Sequence, residues 1–182
     1  MITTTTETAP RVWVSSFGAY NEGLLIGRWV DAVDADQVTA RSLFEGTPYA
    51  WTEDEELWCF DIENMPIDRE MSPYEATRWA HLLNEVPEHE RVALAAWVRS
   101  GDYVAQGNGD LPSIGDFQER HCGHWDSFRQ YAEQLVDDIG MLTEIPDEIA
   151  RYFDWDAWTR DLRFDYAVES APSGGVFVFR VM

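Results

Sequence analysis

The stretch RVWVSSFGAYNEGLLIGRWV, residues 11–30, decides how this chain begins to fold. Smaller apolar and aromatic side chains alternate over residues 11–17, which is the period-two pattern of a half-buried strand. Residues 18–23 are rich in glycine and asparagine, which favour turns. Residues 24–30 predict a second strand, so the stretch is interpreted as a pair of strands joined by a turn.

Two further segments extend this pair into a small sheet with one helix. Residues 35–44 predict a short helix that is capped by Asp34 and stopped at Gly46. Residues 56–62, which are rich in Leu, Trp, Cys, Phe and Ile, predict a third strand. The first part of the chain is therefore expected to be a three-stranded sheet with a helix.

Helical signals dominate the middle of the chain. The sequence SPYE at residues 72–75 is a capping box with proline at the first helical position, which predicts a helix to about Asn84. Pro87 opens a second helix that ends at Gly101. The sequence NGDLP at residues 108–112 predicts a linker after these helices.

The strongest amphipathic pattern lies in residues 126–139, where apolar side chains recur at helical spacing before a terminating Gly140. A short helix starting near Ser113 precedes it. Two short helices are predicted within residues 146–162, and a hairpin is predicted for the residues that follow. The first hairpin strand covers residues 164–169 and the second covers 176–181.

The expected class is α+β, with an elongated arrangement of three small lobes. A flexible tail over residues 1–10 precedes an N-terminal α+β lobe over 11–67. A helical middle lobe covers 68–110, and a C-terminal α+β lobe with the hairpin covers 111–182. A chain of 182 residues is long enough for one ordinary domain or a few very small ones.

Charge is the feature that most restricts function. The chain holds 34 acidic residues against 13 basic ones, all of them arginine, which gives a formal charge of −21. Such a body repels nucleic acid and anionic membranes, so it is expected to bind neither and to attract basic surfaces instead. No basic-then-apolar leader or long apolar run is present, and two cysteines imply no disulfide framework. A cytoplasmic location is expected.

Carboxylates spread through a folded body could stand in for DNA phosphates. Duplex DNA carries about two charges per base pair, so a charge of −21 matches roughly ten base pairs. A solvated surface or halophilic adaptation would also explain the acid excess, and a halophilic acidic interaction protein therefore remains an alternative. The candidate phosphate mimics are Glu53, Asp54, Glu55, Glu56, Asp126, Glu133, Asp137, Asp138, Glu144, Asp147, Glu148, Asp154 and Asp156.

Three of these acids are expected to share one face of the helix predicted over residues 126–139. Asp126, Glu133 and Asp137 are spaced seven and four residues apart, away from the apolar stripe. Glu133 and Asp137 stand at i,i+4, where like charges repel by roughly 0.2–0.5 kcal/mol.

No residue pattern specifies an enzyme or a cofactor. Phosphate-binding loops need a lysine that this chain lacks. His121, Cys122 and His124 form the one cluster of soft metal ligands, but no second pair completes a zinc site. A metal-dependent hydrolase built on this cluster is kept as an alternative, against an ordinary helix-entry loop. Cys59, inside an apolar strand, is expected to be inert core packing.

Motifs near both ends of the chain resemble those of ArdA-type antirestriction proteins. Near the N-terminus the matching motifs are RVWV (11–14), YNEG (20–23) and GRW (27–29). Near the C-terminus they are GML (140–142), EIP (144–146), YFD (152–154) and AWTRDL (157–162). The resemblance covers nearly the whole chain after the tail, and the YNEG motif is its most specific element.

The resemblance implies a three-lobed acidic DNA mimic without enzymatic activity. Such a protein occupies the DNA-binding groove of Type I restriction–modification enzymes, contacting their specificity and methyltransferase subunits. It thereby evades host defence on behalf of a mobile genetic element such as a plasmid, transposon or phage. An antirestriction segment is implied at residues 131–145, with a homodimer formed through the C-terminal lobe. The candidate interface residues are Tyr131, Leu135, Ile139, Met141 and Leu142.

Overall fold

The computed structural model describes residues 9–106 and 110–181. Most of the tail expected over residues 1–10 lies outside these ranges, as do the first two residues of the linker expected over 108–112. No described helix combines the length and the apolar character that crossing a bilayer requires.

The described residues fall into two compact units. The first lies within residues 1–88 and 107–111, and the second lies within residues 89–106 and 112–182. Each unit contains a three-stranded antiparallel sheet and several helices. The α+β class predicted from the sequence is confirmed.

The sheet of the first unit contains the three strands that the sequence predicts. They are β1 (Arg11–Ser16), β2 (Gly27–Asp31) and β3 (Leu57–Glu63), in the order β2-β1-β3. Val12 and Val14 of β1 are completely buried on one face. The alternation of β1 therefore supplies the inner face of this sheet.

The helix predicted over residues 35–44 is wrong, because two shorter helices take its place. A 3-10 helix covers Ala32–Gln37, and α2 covers Ala40–Phe44. The break comes from a reciprocal cap. The Thr39 hydroxyl accepts the Ser42 N–H at 3.2 Å, and the Ser42 hydroxyl accepts the Thr39 N–H at 3.1 Å. Asp34 therefore lies inside the 3-10 helix and does not cap α2.

Two other helices complete the first unit. The five-residue α1 (Phe17–Asn21) follows β1 directly, and α3 (Pro73–Glu85) begins where the capping signal places it. The Ser72 hydroxyl accepts the Glu75 N–H at 3.2 Å, as predicted. Buried Thr77 joins α3 to the 3-10 helix, since its hydroxyl donates to the Ala32 carbonyl at 3.1 Å.

The second unit is richer in helices. Its sheet has the order β4-β6-β5, so the last strand in sequence lies at the centre. Its helices and strands are, in chain order, α4 (Arg91–Ser100), α5 (Ile114–Arg120), β4 (His121–Trp125), α6 (Phe128–Asp138), α7 (Asp147–Ala150), α8 (Trp155–Leu162), β5 (Tyr166–Ser170) and β6 (Val176–Arg180).

The strand β4 was not predicted, because residues 121–124 were interpreted as a loop before a helix. In the structure this segment pairs with β6 along the hairpin that β5 and β6 form. A register irregularity between His121 and His124 interrupts the pairing, so the sequence lacks the regular alternation of a strand. The predicted hairpin itself is confirmed.

Aromatic packing forms part of the core of the second unit. The rings of Trp97, Phe117 and Phe179 lie 5.8–6.4 Å apart, and all three side chains are completely buried. They come from α4, α5 and β6, so one aromatic cluster joins two helices to the central strand. Aromatic contacts of this kind stabilise a core beyond the area that they bury.

The two long helices of the predicted middle lobe belong to different units. The helix α3 lies in the first unit and α4 lies in the second. The division into three lobes, with a separate middle lobe over residues 68–110, stays a prediction.

Candidate functional site

Excess negative charge is a property of both units. The first unit holds 18 acidic and 5 basic residues, a formal charge of −13, and the second holds 16 and 8, a charge of −8. An acidic tail would have concentrated the charge at one end. The acidic surface is therefore carried by folded structure, and more of its net charge lies in the first unit.

The thirteen candidate acids are almost all accessible to a partner. Eleven of them are exposed, while Glu55 and Glu133 are half-buried. Each of these two has a specific partner inside its own unit, described below. The other eleven side chains are exposed, and among them Glu53 and Asp156 each also contact an arginine of their own unit.

The acidic run at residues 53–56 lies in the turn before β3. Glu53 is 3.4 Å from Arg41, but both side chains are more than 70% exposed, so this pair adds little stability. Glu55 accepts a hydrogen bond from the Ser16 hydroxyl at 2.7 Å. The remaining two acids of the run are exposed. Glu55 is thus fixed while its neighbours face solvent.

Arg129 reduces the charge of the acidic surface in the second unit. Its Nε donates to Glu133 at 2.5 Å, and its Nη1 donates to Asp156 at 2.7 Å. Its guanidinium also lies 5.3 Å from the centre of the Trp155 ring. The hydrogen bond to Glu133 is the largest cause that raises the pKa of Arg129. One arginine therefore joins α6 to α8 and offsets one of the two carboxylate charges.

The sequence predicts that Asp126, Glu133 and Asp137 share one face of α6. The structure places Asp126 outside the helix and pairs Glu133 with an arginine. Asp126 precedes α6, because Ser127 caps the helix by accepting the Gln130 N–H at 3.2 Å. Glu133 is engaged by Arg129, so the repulsion expected between Glu133 and Asp137 is partly compensated. Sequence reasoning missed this role of Arg129, although its i,i+4 spacing to Glu133 was a usable signal.

The acids at the other helix ends differ in their electrostatic setting. Asp137 and Asp138 end α6, where the helix dipole is unfavourable to negative charge. Asp147 and Glu148 begin α7, where the dipole favours it. Of the two short helices predicted within residues 146–162, the first is this single turn and the second is α8.

Two further candidate acids, Glu144 and Asp154, lie outside the helices, in the segments that connect them. Asp154 caps α8 by accepting the Ala157 N–H at 2.9 Å. Glu144 lies in the exposed turn between α6 and α7. Both carboxylates remain exposed, and Asp154 also fixes the start of a helix.

The five candidate interface residues have different environments. Tyr131 is only 6% exposed and packs with Tyr166 and Val178, and Leu135 packs against this cluster. Ile139 is 56% exposed, whereas Met141 and Leu142 are half-buried. Ile139 is therefore the most accessible of the five, and Tyr131 belongs to the core of its own unit.

The histidine and cysteine cluster is built into the sheet of the second unit. The His121 ring stacks against Phe117 and Phe179 at 5.2 and 5.3 Å. The Cys122 thiol donates to the Arg120 carbonyl, and His124 Nε2 donates to the Gly174 carbonyl at 2.7 Å. Among residues 9–106 and 110–181, no three potential ligands are grouped so that they could hold a metal ion.

Cys59 lies fully buried in β3 of the first unit. Burial raises the pKa of its thiol to about 12. At neutral pH the reactive thiolate is therefore scarce, as expected for a cysteine that serves core packing.

His121 predicts a pH-dependent stability of the second unit. Burial lowers the pKa of His121 from its ordinary value, an effect that Glu90 partly opposes. As the pH falls, the His121 imidazole is therefore protonated in the unfolded chain at a higher pH than in the folded chain. The free energy of unfolding decreases as the pH drops from about 6.5 towards the lowered pKa of the folded state. We expect the melting temperature of the His121→Phe variant to fall less between about pH 7 and pH 5 than that of the unsubstituted chain.

The control is His81→Gln, because His81 is exposed on α3 of the first unit. Thermal unfolding followed by circular dichroism at several pH values makes the comparison. An equal loss of melting temperature in the His121→Phe variant and the unsubstituted chain would contradict this role of His121.

A model of a known protein family matches most of the chain. The family model described as "Antirestriction protein (ArdA)" matches residues 12–177 of the 182 in the chain. No match is found among curated proteins. The matched range includes all thirteen candidate acids, all of β2, β3, β4 and β5, and parts of β1 and β6.

Proposed function

Because this chain belongs to the ArdA family of antirestriction proteins, we propose that it inhibits Type I restriction–modification enzymes as a mimic of duplex DNA. The protein occupies the groove in which those enzymes bind DNA, and it contacts their specificity and methyltransferase subunits. It acts by occupancy and carries out no chemistry. Its place of action is the cytoplasm, where it protects the DNA of an incoming mobile element.

The observation that carries this proposal is the distribution of exposed carboxylates. Both folded units have a large excess of acid, and eleven of the thirteen candidate acids are exposed. A groove that binds DNA is lined with arginine and lysine that neutralise phosphates. Exposed carboxylates on a folded body can satisfy the same cations.

Displacement of DNA tests the proposal directly. Added protein is expected to release labelled duplex DNA from a purified Type I enzyme, and excess DNA is expected to restore DNA cleavage. Inhibition should weaken as salt concentration rises, because salt screens the charges of both partners. Fluorescence anisotropy of the labelled DNA measures the release. Undisturbed binding of DNA in the presence of saturating protein would exclude mimicry.

A homodimer formed through the second unit is part of the proposal. Ile139, Ile149 and Tyr152 of this unit are 56%, 61% and 81% exposed, so their apolar surface is available to a second copy of the chain. We expect a solution mass near twice the 21.0 kDa of one chain. Light scattering at micromolar concentration measures it.

Two variants test where the dimer forms. Ile149→Asp is expected to give a single-chain mass, because a charge at the interface is costly to bury. Val92→Asp introduces the same charge at an exposed position of α4 and is expected to keep the dimer. A single-chain mass for the unsubstituted protein, unchanged as concentration rises, would contradict the dimer.

A further inference from the structure

Five aromatic side chains lie together on the outer face of the first sheet, and we call them the aromatic face. Val14 of β1 and Cys59 of β3 are paired in register and completely buried on the inner face. Because side chains alternate along a strand, their neighbours in β1 and β3 point outward. The short helix α1 adds two more rings to this side. The aromatic face consists of Trp13, Phe17, Tyr20, Trp58 and Phe60.

Phe60 is the centre of the aromatic face. The Tyr20 ring stacks on it with centroids 3.9 Å apart and planes only 15° apart. The rings of Trp13 and Phe17 lie 6.3 and 6.2 Å from it. Phe17 and Tyr20 are each 39% exposed, although rings this large would normally be buried more deeply. The cluster is ordered by ring contacts and still reaches solvent.

The backbone of β2 fits this arrangement. A Cβ at Gly27 would lie 2.5 Å from Cζ2 of Trp13, so the indole lies directly against the backbone there. Any larger residue would push Trp13 away from its place. The absence of a side chain at Gly27 thus leaves room for the Trp13 indole against β2.

The surroundings of the aromatic face are negative. Asp61 stands opposite Trp13 in the strand register, and both Asp61 and Glu56 are exposed. Glu22 is exposed directly after α1. Aromatic faces attract cations through the ring quadrupole, and carboxylates at the rim add to that attraction. The same carboxylates repel phosphate, so base stacking by a nucleic acid is disfavoured.

The same sheet already places one guanidinium group over an aromatic ring with carboxylates beside it. Arg11 lies over the Trp29 ring, 5.5 Å from its centre. It is also 4.0 Å from Asp31 and 3.6 Å from Glu63. Trp29 is the register partner of Trp13, so this contact adjoins the aromatic face. In the part of the chain that the structure describes, no arginine occupies the aromatic face itself.

We propose that the aromatic face binds arginine side chains of the protein that this chain inhibits. The proposal rests on the proposed function and names the side-chain chemistry that the first unit recognises. Guanidinium groups are planar and weakly hydrated, and they stack on rings while donating to carboxylates. The ammonium group of lysine is more strongly hydrated and lacks the planar shape. The aromatic face therefore selects arginine over lysine.

The test compares oligoarginine and oligolysine peptides of equal length, each titrated into the full chain by calorimetry at fixed salt. Charge attraction alone would bind both peptides alike. We expect oligoarginine to bind about five- to thirty-fold more tightly, which corresponds to two ring contacts of ordinary strength. The double variant Phe17→Leu with Tyr20→Leu keeps every charge and is expected to remove most of this difference.

Phe164→Leu is the matched control, because Phe164 is an exposed ring of the second unit, 81% accessible. It is expected to leave the preference for oligoarginine unchanged. Equal binding of both peptides by the unsubstituted chain, or no binding of either, would overturn the proposal. This outcome does not depend on whether the double variant folds. No restriction enzyme is present, so this outcome is independent of the DNA-displacement experiment.

Discussion

Converting five exposed carboxylates of the second unit to amides is expected to weaken inhibition of a Type I enzyme by between about five-fold and four-thousand-fold. Each exposed ion pair with a partner contributes about 0.2–1 kcal/mol, and five together contribute about 1–5 kcal/mol. None of the five carboxylates is within ion-pair distance of an arginine in the described ranges. The substitutions are Asp137→Asn, Asp138→Asn, Glu144→Gln, Asp147→Asn and Glu148→Gln.

The fold is expected to tolerate this change. The substitutions leave Glu133 and Asp156 in place, so Arg129 keeps both of its partners. Loss of charge at the end of α6 relieves an unfavourable dipole interaction, and loss at the start of α7 removes a favourable one. These two effects oppose each other, and the melting temperature should change little.

The matched control exchanges Asp and Glu at the same five positions, which keeps the charge and alters side-chain length. Inhibition is measured as the protein concentration that releases half of a labelled duplex from the enzyme. The exchanged variant should retain most of its inhibition, because the charge is responsible. An equal loss in the amide variant and the exchanged variant would show that charge is not what the enzyme recognises.

Gly175→Ala is expected to destabilise the second unit by about 2–5 kcal/mol. Gly175 has a φ of +77°, where a side chain costs about 1–2 kcal/mol. Its Cβ would also lie 2.3 Å from the Trp125 carbonyl oxygen of β4 and 3.0 Å from His124 Nε2. Separating these atoms forces the hairpin away from β4, and overpacking of this kind costs a further 1–3 kcal/mol or so.

Gly174→Ala is the matched control for this substitution. Gly174 also has a positive φ, at +95°, but a Cβ there would meet nothing within 4 Å. It should therefore cost only the backbone term, about 1–2 kcal/mol. Denaturant unfolding of the two variants isolates the steric contribution. Equal losses for both would mean that β4 does not lie against the hairpin turn.

Local signals predicted those elements whose determinants are close together in the sequence. The pair β1 and β2 follows from alternation on either side of a turn, and α3 follows from a proline and the Ser72 cap. The break at Thr39 was missed because residues 35–44 have a composition that suits a continuous helix. The reciprocal hydrogen bonds with Ser42 end that continuity, and the amino-acid pattern did not distinguish the two outcomes.

Long-range contacts account for what the sequence could not predict. β4 is a strand because β6 lies beside it, and β6 comes about fifty residues later, with His121 paired to Phe179. The large number of acidic residues predicted that most of them would be exposed. The contact of Asp156 with Arg129 could not be predicted, because the two residues are 27 positions apart in the sequence. The aromatic face was likewise not predicted, since α1, β1 and β3 are separated in sequence. Alternation around buried Cys59 was the one local sign of it.

Because the ribosome synthesises a chain from its N-terminus, the strand orders of the two sheets determine when each sheet can pair. In the first sheet β1 is central and meets β2 after a short turn, so pairing starts from a local hairpin. In the second sheet the central strand is β6, and β4 remains without a partner while α6, α7 and α8 are synthesised. Contacts of large sequence separation form slowly, and unpaired edges promote aggregation meanwhile. We therefore expect the second sheet to close later during synthesis than the first, with β4 as the edge that stays unpaired longest.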